Sequence, residues 1–453
     1  MMTQHDLVLQ ENRVIPEGYK QTEFGVIPES WEINTLEHFT DEKRPICYGI
    51  VQTGPKINSG VPCLRVVDIL DKKINTENLI YTTQEISSSY KRTILKKGDL
   101  VFPLRGKIGT VGLINEELVG ANLTRGVALI ALKKSNPIFL KQLFGSHKIL
   151  TQLHGSMNGS ALQEITIDTL KKFKVVMPDI VEQQKIATAL SDTDALISKL
   201  EKLIEKKQAI KTATMQQLLT GKTRLPEFAL REDGTPKAYK ESELGQIPED
   251  WELSEIYELA DRHKANFDDG DWIEAEHITN KGVRLIQTGN IGIGSFLDKE
   301  SKKYIYEESF TTLKCKELRI NDILICRLAE PAGRACIFEG LDDEKVITSV
   351  DVTIFRPIEN NINRVFLNQF FTSDVWFSQV KEHVGGTTHK RISRGALGKL
   401  KVVMPTLDEQ TKIAKILQAM DLDLAELKKN YIKYMHIKQG MMQELLTGKT
   451  RLV

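Results

Sequence analysis

The chain has little of what a secreted, membrane-bound or metal-dependent protein needs. Cysteine is scarce: Cys47, Cys63, Cys315, Cys326 and Cys336 are the only five in 453 residues. An odd number without Cys-x-x-Cys spacing reads as reduced core thiols, not as a disulfide framework. None of the nine histidines falls in a His-Glu-x-x-His or His-Cys metal spacing, so no metal is expected. No run of 18 apolar residues offers a membrane span. The opening Met1-Met2-Thr3-Gln4-His5-Asp6 lacks the basic and apolar layout of a secretion signal, and the expected location is the cytoplasm. A charge excess is missing too, with 62 basic against 61 acidic side chains and a net charge of +1. That balance counts against a nucleic-acid binder unless the basic residues are sorted onto one face or partner subunits supply charge.

What is present is a duplication. Val175-Val176-Met177-Pro178, Glu182-Gln183-Gln184-Lys185-Ile186-Ala187 and Leu218-Leu219-Thr220-Gly221-Lys222-Thr223-Arg224-Leu225 recur 227 positions later. The second copy runs from Val402 through Glu409-Gln410-Thr411-Lys412-Ile413-Ala414 to Leu445-Leu446-Thr447-Gly448-Lys449-Thr450-Arg451-Leu452. Each copy reads as one long helix. Asp179 or Thr406 can cap it, Glu182 or Glu409 stands at capping-box spacing, and Gly221 or Gly448 can end it. About 40 helical residues make a rod of roughly 60 Å.

In the second helix Ile413, Leu417, Met420, Leu424, Leu427, Tyr431, Tyr434, Lys438, Met441 and Leu445 alternate steps of four and three, which is a heptad seam. The first places Ile186, Leu190, Thr193, Ile197, Leu200, Ile204, Lys207, Lys211, Thr214 and Leu218 in the same register, with Leu196, Leu203 and Ile210 as a neighbouring stripe. Neither helix can bury such a stripe alone, so the two are expected to pack on each other; the alternative is that each packs on its own globular domain. Lys211 and Lys438 share one register and read as solvated edge positions, with contact to a partner's acidic surface or to phosphate as the alternative.

A second repeat precedes the first. Tyr19–Glu32 and Tyr239–Glu252 are identical at nine of fourteen positions, including Trp31 and Trp251, at an offset of 220. These tryptophans read as core or docking anchors. Seven extra residues therefore lie in the middle of the second unit, and the middles barely match. Those middles read as β-rich, with strands expected at 61–69, 96–103, 127–132, 283–291, 319–326 and 350–355 and a short helix at 137–151 or 365–380. The fold class is α+β: two β-rich globular domains related by duplication, joined by two long antiparallel helices forming a coiled coil. The segments are a lead-in at 1–18, a domain at 19–178, a helix at 179–221, a linker at 222–238, a second domain at 239–405, a second helix at 406–448 and a tail at 449–453.

Catalytic motifs fail on inspection. Gly221-Lys222-Thr223 resembles the end of a P-loop, but Gln216 stands where the earlier glycine belongs and a helix leads in, so helix termination is the reading. Asp298-Lys299-Glu300-Ser301-Lys302 contains a nuclease-like Glu-x-Lys pair of a kind common in so charged a chain. No Asn-Pro-Pro-aromatic motif of an amino-methylating enzyme occurs. No active site and no cofactor are expected in this chain. Recognition remains, through basic and polar side chains in glycine-rich loops: Arg105, Lys107, Asn122, Thr124, Arg125, Arg327, Arg334, and Lys390, Arg391 and Arg394 of the segment Thr387–Arg394. Arg and Lys reach guanine edges, Asn pairs with adenine, and Ser, Thr and Lys hold phosphates. For any single one of them, a solvated loop charge is the ordinary alternative.

The whole layout resembles the specificity subunit of type I restriction-modification enzymes, from Tyr19 to Leu452. Its marks are a variable domain, a Pro-x-x-x-Glu-Gln helix ending in Leu-Leu-Thr-Gly-Lys-x-Arg-Leu, a Tyr-Lys entry with Gly-x-Ile-Pro-x-x-Trp, and a second round of each. The resemblance implies two target-recognition domains, each reading one half of a split site in double-stranded DNA. It also implies a helix pair that sets the spacing and docks two modification subunits. Those partners would bind S-adenosylmethionine and methylate adenine, and restriction subunits would add ATP- and Mg-dependent translocation and cleavage. Insertion near Leu219–Arg224 should then lengthen the spacer, and exchange of 33–158 should change one half-site. Two other classes remain: a scaffold bridging two partners without touching DNA, and a stand-alone enzyme with an unrecognised site.

Overall fold

The computed structural model describes residues 15–70, 73–156, 164–342, 345–358, 361–386 and 390–453. The chain divides into two compact units, Met1–Glu201 with Lys429–Val453, and Lys202–Lys428. The division falls inside the long helices, Ile180–Leu218 and Leu407–Leu445, of 39 residues each. Each unit therefore owns the head of one helix and the tail of the other, whereas the sequence segmentation set the helices apart.

In the first unit, a hairpin of Tyr19–Thr22 with Gly25–Pro28 leads to Glu32–Thr35, which pairs antiparallel with Lys174–Met177. Everything between hangs from this ribbon, and the Leu36 N–H donates to the Phe173 carbonyl at 2.8 Å where the ribbon opens. Inside are a four-stranded sheet in the order Cys47–Tyr48, Val127–Ile130, Leu100–Pro103, Gly112–Leu113, and a three-stranded sheet in which Val61–Leu64 runs parallel to Asn122–Leu123. The expected helix at 137–151 is two helices, Pro137–Phe144 and His147–Gly155, because Ser146 caps a new start.

The second unit repeats this plan despite its unlike middle. Its ribbon pairs Glu252–Glu255 with Lys401–Met404, and the Ile256 N–H donates to the Leu400 carbonyl at 3.1 Å. Its main sheet runs Phe267–Asp269, Val352–Phe355, Ile323–Cys326, Ala335–Ile337. Val283–Ile286 runs parallel to Val346–Thr348, matching the parallel pair of the first unit. Two glycines show how deep the match goes. A Cβ on Gly49 would collide with the Leu123 carbonyl, and one on Gly270 with that of Thr348, so both positions demand glycine although no shared motif surrounds them.

The seam positions separate cleanly from their neighbours. Ile186, Leu190, Ile197, Ile413, Leu417 and Leu424 are buried, and Leu200, Ile204, Met420, Leu427, Tyr431 and Tyr434 are half-buried. The stripe of Leu196, Leu203 and Ile210 is exposed. Each stands one residue before a seam position, and one residue turns a helix by about 100°. The helices run antiparallel in both units: Thr193 and Asp194 meet Met441 and Lys438, and Lys207 and Lys211 meet Asp423 and Asp421.

Lys211 and Lys438 are thus not solvated edges. Each closes a duplicated triad in which a glutamine of the globular part, Gln142 or Gln369, donates to the same aspartate, Asp194 or Asp421. Coil and globular part are locked by one shared carboxylate per unit. No helix among the described residues is long and apolar enough to cross a membrane.

Candidate nucleic-acid interface

The repeated motifs turn out to be one device, built twice. Glu182 does not complete a capping box; Asp179 alone accepts the N–H groups of Val181 and Glu182 at 2.9 and 3.0 Å. The Glu182 carboxylate is buried and accepts from the Trp31 indole at 2.9 Å and from Arg451 at 2.7 and 2.8 Å. That hydrogen bond raises the Arg451 pKa above its ordinary value. In the second unit Glu409 accepts from Trp251 at 2.9 Å and from Arg224 at 2.8 and 2.6 Å. The glutamate at the head of each helix therefore holds the arginine that follows the tail of the other. Gly448 and Gly221, at φ +74° and +69°, leave no room for a side chain against Pro28 and Trp31 or Pro248 and Trp251. The Gly-Lys-Thr segments are helix terminations, fixed by packing as well as by φ.

With the frame fixed, the middles converge their loops on one edge of each unit. In the first unit Ile50 bridges Thr124, the Thr124 N–H donates to the Leu64 carbonyl, and Arg105 bridges Glu164. Arg105, Lys107 and Arg125 stand exposed here, with Gly126 making room for the Arg105 guanidinium. In the second unit Asp271 bridges Ser349, Ser349 donates to the Ile286 carbonyl, and Leu328 bridges Arg391. Lys390 and Arg391 are exposed there, facing Glu330 at 3.8 Å and Asp351 at 3.5 Å.

Five of the ten sequence candidates have internal work instead. Asn122 is fully buried; its amide donates to the Ser87 hydroxyl at 3.1 Å and its carbonyl accepts from Thr93 at 2.7 Å. Thr124 spends its hydroxyl on the Leu64 carbonyl. Arg327 is 2% exposed, paired with Asp269 and donating to the carbonyls of Ile392 and Val350. Burial and the neighbouring Arg391 and Arg394 depress its pKa against the pull of Asp269 and Asp351. Arg334 donates to four carbonyls, those of Ile291, Leu328, Pro331 and Thr288. Arg394 is held by Asp268. In this structure these residues shape loops. Thr387, Thr388 and His389 lie outside the described residues. The Asp298 carboxylate is occupied by Arg284 and Lys302 at 3.0 and 3.1 Å, which removes the nuclease-like reading of that stretch.

The position of Asn122 makes a test. Asn122→Ala leaves the Thr93 and Ser87 groups without their buried partner, which costs about 1–3 kcal/mol. Denaturant unfolding should show that loss while the DNA sequence modified in the host stays the same.

Sequence reasoning also passed over Trp272, the one exposed tryptophan of the four, at 70% exposure. Its flanks, Asp271 and Ile273, match no motif, and only the strand geometry marks the position. Among the described residues no group of three or more His, Cys, Asp or Glu could hold a metal ion.

Comparison with known proteins fits this geometry. The family model described as the type I restriction modification DNA specificity domain matches residues 55–212 and again 248–434. A putative type I restriction enzyme MjaX specificity subunit of Methanocaldococcus jannaschii is 29% identical over 462 residues, covering 96% of this chain and 97% of that one. The MjaVIII specificity subunit of the same organism is 24% identical over 446 residues, covering 96% of each. Among solved structures, the type I restriction-modification S subunit from M. genitalium superposes with a TM-score of 0.55 at 16% identity, over 92% of this chain and 96% of that one, which shows the shared fold.

Proposed function

This chain belongs to the type I restriction modification DNA specificity family, and from that premise we propose how its two units divide the work. It is the DNA sequence-recognition subunit of a type I restriction-modification enzyme. Each unit reads one half of a bipartite site through the loop edge described above, and the length of the helices sets the number of base pairs between the halves. The chain itself performs no chemistry. S-adenosylmethionine belongs to modification subunits, and ATP and Mg to restriction subunits where these join. Two modification subunits dock on the helices, supported by the two clamps and two Gln-Asp-Lys triads that give this chain each docking environment twice. The complex works in the cytoplasm, where the DNA is.

One observation carries this reading. The frame is duplicated to the level of single hydrogen bonds, while the exposed cations on its loops differ: Arg105, Lys107 and Arg125 in one unit, Lys390 and Arg391 in the other. A scaffold that only bridged two partners would have no use for unlike loop edges on a repeated frame. Since the variable part enters and leaves through one ribbon, its natural ends are Leu36 and Phe173, narrower than 33 and wider than 158. Exchange of Leu36–Phe173 for the matching segment of another family member should change one half-site and leave the other intact. Sequencing of methylated adenines in the host reads this out, and a change in both halves would defeat the modular reading.

A further inference from the structure

In both units the loop edge contains one structurally equivalent slot, and it is filled by an apolar side chain that the fold does not use. The slot follows the glycine that cannot accept a Cβ. Gly49 and Gly270 donate to the carbonyls of Val127 and Val352, and the next residues, Ile50 and Asp271, donate to those of Leu123 and Thr348. The residue after that is Val51 in one unit, 44% exposed, and Trp272 in the other.

Trp272 is held by its neighbours. Before it, Asp271 is pinned by its own N–H to Thr348 and by accepting the Lys316 N–H at 2.8 Å. After it, Ile273 packs on the small core of Val283, Leu285, Ile305 and Ile347. With one flank hydrogen-bonded and the other packed inward, the indole is presented outward on a fixed backbone. Trp31, Trp251 and Trp376 are all buried, so the chain hides this residue type wherever folding decides. Cations follow on the same strand edge: Asp271 bridges Ser349, and the exposed Arg391, next to Lys390, reaches Asp351 two residues on. A rigid apolar plate beside exposed cations suits a polyanion with apolar faces.

We propose that Trp272 packs its indole against an apolar surface of the DNA half-site read by the second unit, a thymine methyl or the face of a deoxyribose. Val51 occupies the equivalent slot for the other half-site. The inference rests on the family reading and adds a specificity-determining residue to it. Two side chains of such different size at one slot of a common frame give the two units different apolar readouts.

The test is hydroxyl-radical footprinting with mass spectrometry, on the chain assembled with its modification subunits, with and without a duplex carrying the methylated site. The peptide containing Trp272 should oxidise readily without DNA and be protected by the duplex. Trp272→Ala should weaken binding to that duplex about 10- to 30-fold, as loss of an anchoring tryptophan does. Binding to a duplex with the second half-site scrambled should be unaltered, and Trp272→Phe should recover most of the loss. Protection on assembly before DNA is added would overturn the proposal in favour of a subunit contact. Full oxidation under saturating duplex would overturn it outright. Absence of any site-specific binding by the wild-type assembly would instead bring down the family reading on which it stands.

Discussion

Replacement of Glu409 by alanine should cost the second unit roughly 3–5 kcal/mol, the range for removing one partner of a buried ion pair. The carboxylate is buried completely and satisfies two donors: the Trp251 indole N–H, itself fully buried, and the guanidinium of Arg224. Arg224 would keep Asp250, at 2.7 Å, but that carboxylate is already shared with Lys237 at 2.7 Å. Arg224→Ala should lose at least as much, because the buried Glu409 carboxylate is then left with the neutral Trp251 donor and no counterion, whereas Arg224 without Glu409 still has Asp250. The double variant should lose less than the sum of the two, since the pair is coupled. Urea unfolding followed by fluorescence would report the ordering. Additive losses would mean that the clamp does not act as a unit. In the first unit Glu182 stands in the same place toward Trp31 and Arg451, and the same order is expected.

Seven residues added to each long helix, after Glu201 and after Lys428, should lengthen the recognised spacer by about three base pairs. Those positions are where the two compact units part, and neither apolar core reaches them. A heptad keeps the seam in phase. Seven residues add about 10.5 Å, and a base pair takes about 3.4 Å. Insertion near Leu219–Arg224, which the sequence alone suggested, would instead fall on Gly221 and Arg224 and break the second clamp. Two residues added to one helix only should abolish activity, because a rotation of about 200° turns the seam away from its partner. Mapping of methylated adenines decides the matter, and an unchanged spacer with both half-sites retained would end the idea that helix length sets it.

How much of this could be read from the residues follows from the range of each interaction. The seam was legible because its period is local: Ile413, Leu417, Met420 and Leu424 announce a face within three turns. The strands around Val61, Leu100 and Val127 were legible from turn glycines and β-branched runs, although each came out shorter than expected. The clamp was not legible, since Glu182 and Arg451 lie 269 positions apart, and within its own helix Glu182 has the spacing of a capping box. The internal partners of loop residues were hidden for a related reason. Arg327 and Arg334 look free in a glycine-rich stretch, and only the fold shows the ring of backbone carbonyls that each one fills. Exposure was the decisive quantity, and the sequence does not carry it.

The central claim is that one frame, repeated, carries two independent readers. Each unit holds the head of one long helix and the tail of the other, so either reader should function in either place. A chain in which Ile256–Leu400 is replaced by a second copy of Leu36–Phe173 would then present identical readers on oppositely running helices, which read the same bases on opposite strands. Single-molecule methylation mapping in a host carrying that chain and the modification subunit measures this directly. An interrupted inverted repeat of the first half-site is predicted; a site that still contains the second half-site, or a direct repeat of the first, would contradict the account.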